Sequence, residues 1–266
     1  REAEREIIFS EYKDKEGLVL NGSVQRVEGN QVYVDLGKAV GVMFGGEQIP
    51  GERYYTGQRV KVYVVRVEQT LRGPQIVLSR AHANMVRHLF ELEVPEIEGG
   101  TVEIKAIARE AGVRSKVAVE SHAPGVDAVG TFVGGRGSRV QAVMGDLGEE
   151  KIDIIPFAED PSIFIANALS PTKVTSVSLN ETEKKAVVRV PEDQLSLAIG
   201  KQGQNVRLAA KLTGWNIDII SADESRVEAT ADAADASSEP KARPASPRDL
   251  ENSLLDAINA GTEEGK

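Results

Sequence analysis

Gly134-Gly135-Arg136-Gly137-Ser138-Arg139-Val140 and Gly200-Lys201-Gln202-Gly203-Gln204-Asn205-Val206 share two glycines and a valine at an offset of 66 residues. Downstream of each, Ile152-Asp153-Ile154-Ile155 recurs as Ile217-Asp218-Ile219-Ile220 at an offset of 65. A fixed period with matching turn glycines marks tandem copies of one supersecondary unit. Hydrophobic periodicity on either side predicts its element order. In the first copy a helix over 85–92 is followed by strands over 101–108 and 116–120. Helices over 126–133 and 138–147 flank the glycine turn, and a strand over 151–155 closes the unit. The second copy repeats this: helix 162–169, strands 174–179 and 186–190, helix 192–199 opened by Pro191, helix 205–212 and strand 217–220. Proline suits a helix start because its missing N–H has no partner there.

Upstream, the period falls to two. Val32-Tyr33-Val34-Asp35-Leu36 and Val60-Lys61-Val62-Tyr63-Val64 alternate, and Gly45-Gly46, Pro50-Gly51 and Arg72-Gly73-Pro74 punctuate. Short strands with Gly/Pro turns in so short a stretch predict a five-stranded OB-type barrel. The expected organisation is an α+β multidomain chain. It comprises a helical connector over 1–15, the barrel over 16–80, the first repeat over 81–158, the second over 159–222, and an acidic, mostly disordered tail over 223–266. Within that tail, 248–260 has the pattern of one amphipathic helix.

The chain has 266 residues, no cysteine and a net charge of −9. Disulfide and thiolate-metal chemistry are excluded. No apolar run is long enough for a transmembrane helix, and a cytoplasmic setting is expected. The acidic total is uneven. From Asp223 onward there are 11 acidic and 5 basic residues, a net of −6, which leaves −3 for the first 222. A nucleic acid responds to charge within about 10 Å, not to the sum. The stretch 134–141 holds Arg136 and Arg139 with no acid, and 200–211 holds Lys201, Arg207 and Lys211 with no acid.

The chemistry of these turns suits a phosphodiester chain. A Gly-x-x-Gly corner admits a nucleic-acid backbone without Cβ clashes, and the next helix offers free N–H groups to phosphate. A single such corner is an ordinary helix–helix turn. Two at equivalent positions, both basic, point to RNA, because this is the backbone-clamping loop of KH domains. The expected contacts are Gly134, Gly135, Arg136, Gly137, Ser138, Arg139 and Gln141, and Gly200, Lys201, Gln202, Gly203, Gln204, Asn205 and Arg207. In the barrel, Arg26, Tyr33, Phe44 and Lys61, with Tyr63, are candidates for base stacking and charge, as in other OB folds. Neither loop has a dinucleotide or Walker pattern. His82, His88 and His122 form no metal-ligand spacing, and Asp153 and Asp218 read as strand residues on an exposed face. No catalytic residue, metal or cofactor is expected.

Longer stretches carry a resemblance. Leu89-Phe-Glu-Leu-Glu-Val-Pro-Glu-Ile97, Gly137-Ser-Arg-Val-Gln-Ala-Val143, Asn167-Ala-Leu-Ser-Pro171 and Leu197-Ala-Ile-Gly-Lys-Gln-Gly-Gln-Asn-Val-Arg-Leu-Ala209 resemble the NusA family of bacterial transcription termination and antitermination factors. The resemblance runs over about 1–221. It implies a ribosomal-protein S-one type barrel followed by two KH domains of type II order. It also implies a non-enzymatic, monomeric factor that binds single-stranded nascent RNA at RNA polymerase, with other Nus-type antitermination factors as partners. The family's polymerase-binding N-terminal domain would precede Arg1. Exoribonucleases also combine KH and S-one type domains, but in the opposite order and behind a large catalytic core.

Overall fold

The structure is a computed structural model that describes residues 2–222. The acidic tail and its amphipathic stretch lie outside the described residues. The first helix, α1 (Glu2–Lys13), lies against the barrel; its Tyr12 is buried in the barrel core and donates its hydroxyl to the Leu36 carbonyl at 3.2 Å.

Five strands follow: β1 (Val19–Glu28), β2 (Gln31–Asp35), β3 (Val40–Met43), β4 (Arg59–Thr70) and β5 (Gly73–Ser79). They close into a barrel in the order β1-β2-β3-β5-β4. Alternation turns Val32 and Val34, Val60, Val62 and Val64, and Ile76 and Leu78 inward. Register shifts between Val24 and Arg26 and between Val64 and Arg66 bend the two long strands, as barrel closure requires. Gly73 and Pro74, expected in a turn, pair with Thr70 and Gln69 inside the β4–β5 ladder.

The first repeat consists of α2 (Ala83–Glu93), β6 (Val102–Glu110), β7 (Arg114–Ser121), α3 (Ala128–Val133), α4 (Ser138–Asp146) and β8 (Lys151–Pro156). The second has α5 (Pro161–Ala168), β9 (Ser176–Asn180), β10 (Lys185–Val190), α6 (Leu195–Ile199), α7 (Gln204–Thr213) and β11 (Asn216–Ser221). Each sheet pairs its middle strand antiparallel to the first and parallel to the last. The helix expected from Pro191 begins as a 3-10 turn at Glu192–Gln194 and becomes α-helical only from Leu195.

The two repeats share a core. Along β7 successive side chains point to opposite faces. Val117 and Val119, with Val102 and Ile104, meet Leu89, Phe90, Phe132 and Val143 of their own repeat. Ala118, with Ala108 and Ile155, instead joins Ile165, Val206 and Leu212 of the second repeat. Alanines on that face leave room for α5 and α7. The first sheet is therefore covered on both sides, which corrects the expectation that Asp153 lies on an exposed face. Asp153 is half-buried and binds Arg114 in two-pronged fashion at 2.7 and 2.9 Å. The fully buried Lys116 reaches Asp153 at 3.4 Å and the second repeat's Ser170 carbonyl at 3.2 Å. Burial pushes the Lys116 ammonium below its ordinary value. Asp218 is also buried, paired with Lys185 at 2.8 Å.

The barrel is fastened to the first repeat by Arg80. Its guanidinium grips both Glu52 oxygens at 2.7 and 2.8 Å, and donates to the Lys61 and Asp146 carbonyls, each at 2.7 Å. Ile49 and Tyr63 of the barrel enter the core of the first repeat.

Candidate nucleic-acid interface

The two glycine corners have the same backbone. Gly134 and Gly200 sit at φ/ψ of 78/170 and 77/172. Arg136 and Gln202 follow at 54/27 and 55/29, and Gly137 and Gly203 at 77/15 and 72/13. Left-handed backbone at a non-glycine residue costs about 1 kcal/mol or more, yet both copies retain it at the same step. The two glycines in each corner do different work. A Cβ on Gly200 would lie 2.8 Å from the Asn205 backbone nitrogen, and one on Gly134 would lie 3.0 Å from that of Arg139. The first glycine thus lets the corner fold back onto the next helix. A Cβ on Gly203 would meet nothing within 4 Å, so the second glycine serves its left-handed φ and leaves an open surface.

The side chains divide into two groups. Gly135, Arg136, Ser138 and Gln141 of the first loop, and Lys201 and Gln202 of the second, are exposed. Among the described residues Arg136 and Lys201 have no ion-pair partner. The others turn away from solvent. Arg139 donates to the Thr131 carbonyl at 2.8 Å and to both Glu96 oxygens at 3.1 Å. The Glu96 carboxyl is held below its ordinary range, first by its own backbone N–H and next by Arg139. At the equivalent position Asn205 is 6% exposed and donates to the Ala198 and Leu169 carbonyls at 3.0 and 3.2 Å. Asn205, expected as a contact, is enclosed in the fold, with its amide nitrogen given to carbonyls of its own domain. Gln204 and Arg207 are half-buried on Glu110 of the first repeat, at 2.8 and 2.5 Å.

The loops are free of acid in sequence but not in space. Glu96 and Glu110 come from 43 and 97 residues away, and no local signal marks them as partners. The histidine expectation changes similarly. His122 lies 2.6 Å from Glu103, with Glu120 close by. Lys105 already sits 3.5 Å from Glu120, so the carboxylates have a cation at hand.

On the barrel, Arg26 lies over the Tyr33 ring at 3.9 Å while paired with Glu28 at 2.7 Å. Beside them is a groove of about 210 Å³ lined by Tyr33, Val40, Val42, Arg72 and Gln75. Lys61 is elsewhere: it binds Asp146 at 2.7 Å and lines a cleft of about 920 Å³ between barrel and first repeat. Phe44 is half-buried before a 3-10 turn. Tyr63, a candidate either for base stacking or for core filling, is buried and stacks on His82 with centroids 4.7 Å apart.

A five-stranded barrel followed by two type II KH units with paired glycine corners defines a class of RNA-binding protein. Family models agree along the chain: an S1 RNA binding domain over 13–79, a NusA-like first KH domain over 80–157 and a NusA-like second KH domain over 161–227. Among curated relatives, the transcription termination/antitermination protein NusA of Halalkalibacterium halodurans is 54% identical over 226 residues, which is 85% of this chain and 59% of that protein. The NusA of Thermus thermophilus is 53% identical over 229 residues, 86% of this chain and 59% of the relative. That of Mycobacterium tuberculosis is 52% identical over 228 residues, 82% and 66% respectively. The chain belongs to the NusA family, and it spans about three-fifths of the length of the first two of these relatives.

Proposed function

We propose that this chain is a non-enzymatic RNA-binding factor that holds single-stranded nascent RNA at bacterial RNA polymerase, and acts there in pausing, termination and antitermination. The observation that carries the RNA part is the doubled corner. Two loops of identical backbone each present one unpaired cation, Arg136 or Lys201, beside a helix start. Phosphate would take Arg136 and Lys201, beside the positive ends of α4 and α7. Ser138, Gln141 and Gln202 would meet bases or 2′-hydroxyls. On the barrel, the Arg26–Tyr33 stack offers a further base platform. The role in termination and antitermination is supported by the names of the relatives; RNA polymerase and other Nus-type factors are the partners proposed for it.

The test is Lys201→Asp with Gln202→Asp in the full chain. We expect single-stranded RNA affinity to fall about ten-fold or more, with circular dichroism unchanged, because a phosphate contact becomes a repulsion. Unchanged affinity at moderate salt would remove the second loop from the interface. Crosslinking of the nascent transcript in a stalled elongation complex tests the setting: adducts are expected at 135–138 and 201–203, and none would sink it. RNA turnover in the presence of a divalent metal would overturn the non-enzymatic reading.

A further inference from the structure

The second loop is held in shape by the first KH domain. Arg207, on α7, contacts Glu110, the last residue of β6, at 2.5 Å, and its Nη1 donates to the Gln202 carbonyl at 3.1 Å. Gln204, the first residue of α7, donates to the other Glu110 oxygen at 2.8 Å. One carboxylate thus ties two residues of the helix that leaves the second glycine corner, and through Arg207 it reaches the carbonyl of the left-handed Gln202. The first loop has no counterpart. Its latch, Arg139 on Glu96, lies wholly within its own domain, and Gln141, which stands where Arg207 does, is exposed.

We propose that Glu110 is a positioning residue for the second RNA loop: it acts from the first KH domain, so that the second loop is fully formed only when the two domains are docked. The proposal rests on the reading of that loop as an RNA contact. The Glu110 carboxylate need not touch RNA. It fixes Arg207 and Gln204, and through them the direction in which Lys201 and Gln202 face. A loop held before binding loses less freedom on binding.

The test is Glu110→Gln in the full chain, measured by RNA affinity and by amide hydrogen exchange, with Arg207→Gln and the double variant beside it. A half-buried pair of this kind translates into an affinity loss of about two- to five-fold. We expect that loss, faster exchange at 201–206, unchanged exchange at 135–140, and no further loss in the double variant. Unchanged exchange at 201–206 would overturn the latch. So would higher affinity with a salt dependence steeper by about 0.7 per decade, since Glu110 would then merely mask Arg207 from phosphate. Should Lys201→Asp/Gln202→Asp also leave affinity intact, the RNA reading of the loop fails, whatever exchange shows for Glu110.

Discussion

The two glycine loops match in backbone to within a few degrees and differ in almost every contact that holds them. In the first, a half-exposed arginine, Arg139, bridges the Thr131 carbonyl and Glu96. In the second, a buried amide, Asn205, donates to the Ala198 and Leu169 carbonyls, and Arg207 adds a tether to the neighbouring domain. The repeat therefore preserves a shape rather than a set of interactions. A charged latch at the surface and a neutral latch in the core are alternative ways to bring a residue back onto the last turn of the preceding helix. They differ in strength, because a surface ion pair is screened by water and a buried hydrogen bond is not.

The largest effect should come from the glycines that make both loops possible. Gly200→Ala forces a Cβ against the Asn205 backbone at a φ of +77°. We expect it to cost about 2–3 kcal/mol, against about 1 kcal/mol for Gly203→Ala, whose Cβ meets nothing. Urea unfolding of both variants measures the difference; equal costs would mean that close approach is not what the first glycine provides.

Next come the latches. Asn205→Ala removes the amide donor from the buried Ala198 carbonyl and one of the two donors to the Leu169 carbonyl, which keeps the Thr172 N–H at 3.1 Å, and should cost about 1–2 kcal/mol. Arg139→Ala removes a solvent-screened contact and should cost clearly less. If Arg139→Ala proves the more damaging in thermal unfolding, the contrast between core and surface latches is wrong.

Acid gives the smallest separation. The Glu96 carboxyl sits below its ordinary value of 4.5 in the folded chain. Its contribution is complete above 4.5 and is lost as pH falls through the lowered value. Amide protection at 135–139, corrected for intrinsic rates, should decline over that window. The Asn205 latch has no charge to lose. In the Glu110→Gln chain, where the second loop keeps no carboxylate tether to protonate, protection at 203–206 that followed the Glu96 titration would show that the two loops are not held independently at this point.

Much of this architecture was legible in the residues. The glycine corners and the two Ile-Asp-Ile-Ile strands announced the repeat, and strict alternation announced the barrel. The surface was less legible, for a physical reason. Strand alternation tells which face a residue occupies but not what covers that face. Asp153 read as exposed, whereas the second repeat's helices lie there. Charge counted along the chain left Arg139 and Arg207 free, whereas Glu96 and Glu110 arrive through tertiary folding. Tyr63 and Asn205 are polar enough to read as contacts, and the core holds both.

The alanine face of the first sheet bears on how far such a chain can be extended. Strand register aligns Ala106, Ala108 and Ala118 of the first sheet with Ser176, Ser178 and Arg189 of the second. All three of the latter are exposed. A third unit stacked in the same way would have to bury the guanidinium of Arg189 without an acid from that sheet face to meet it, since Asp218 is already paired with Lys185. The two units are consequently not interchangeable modules. The first has a surface made to receive a successor and the second presents a charged one in its place, so the stacking of the two has a direction along the chain.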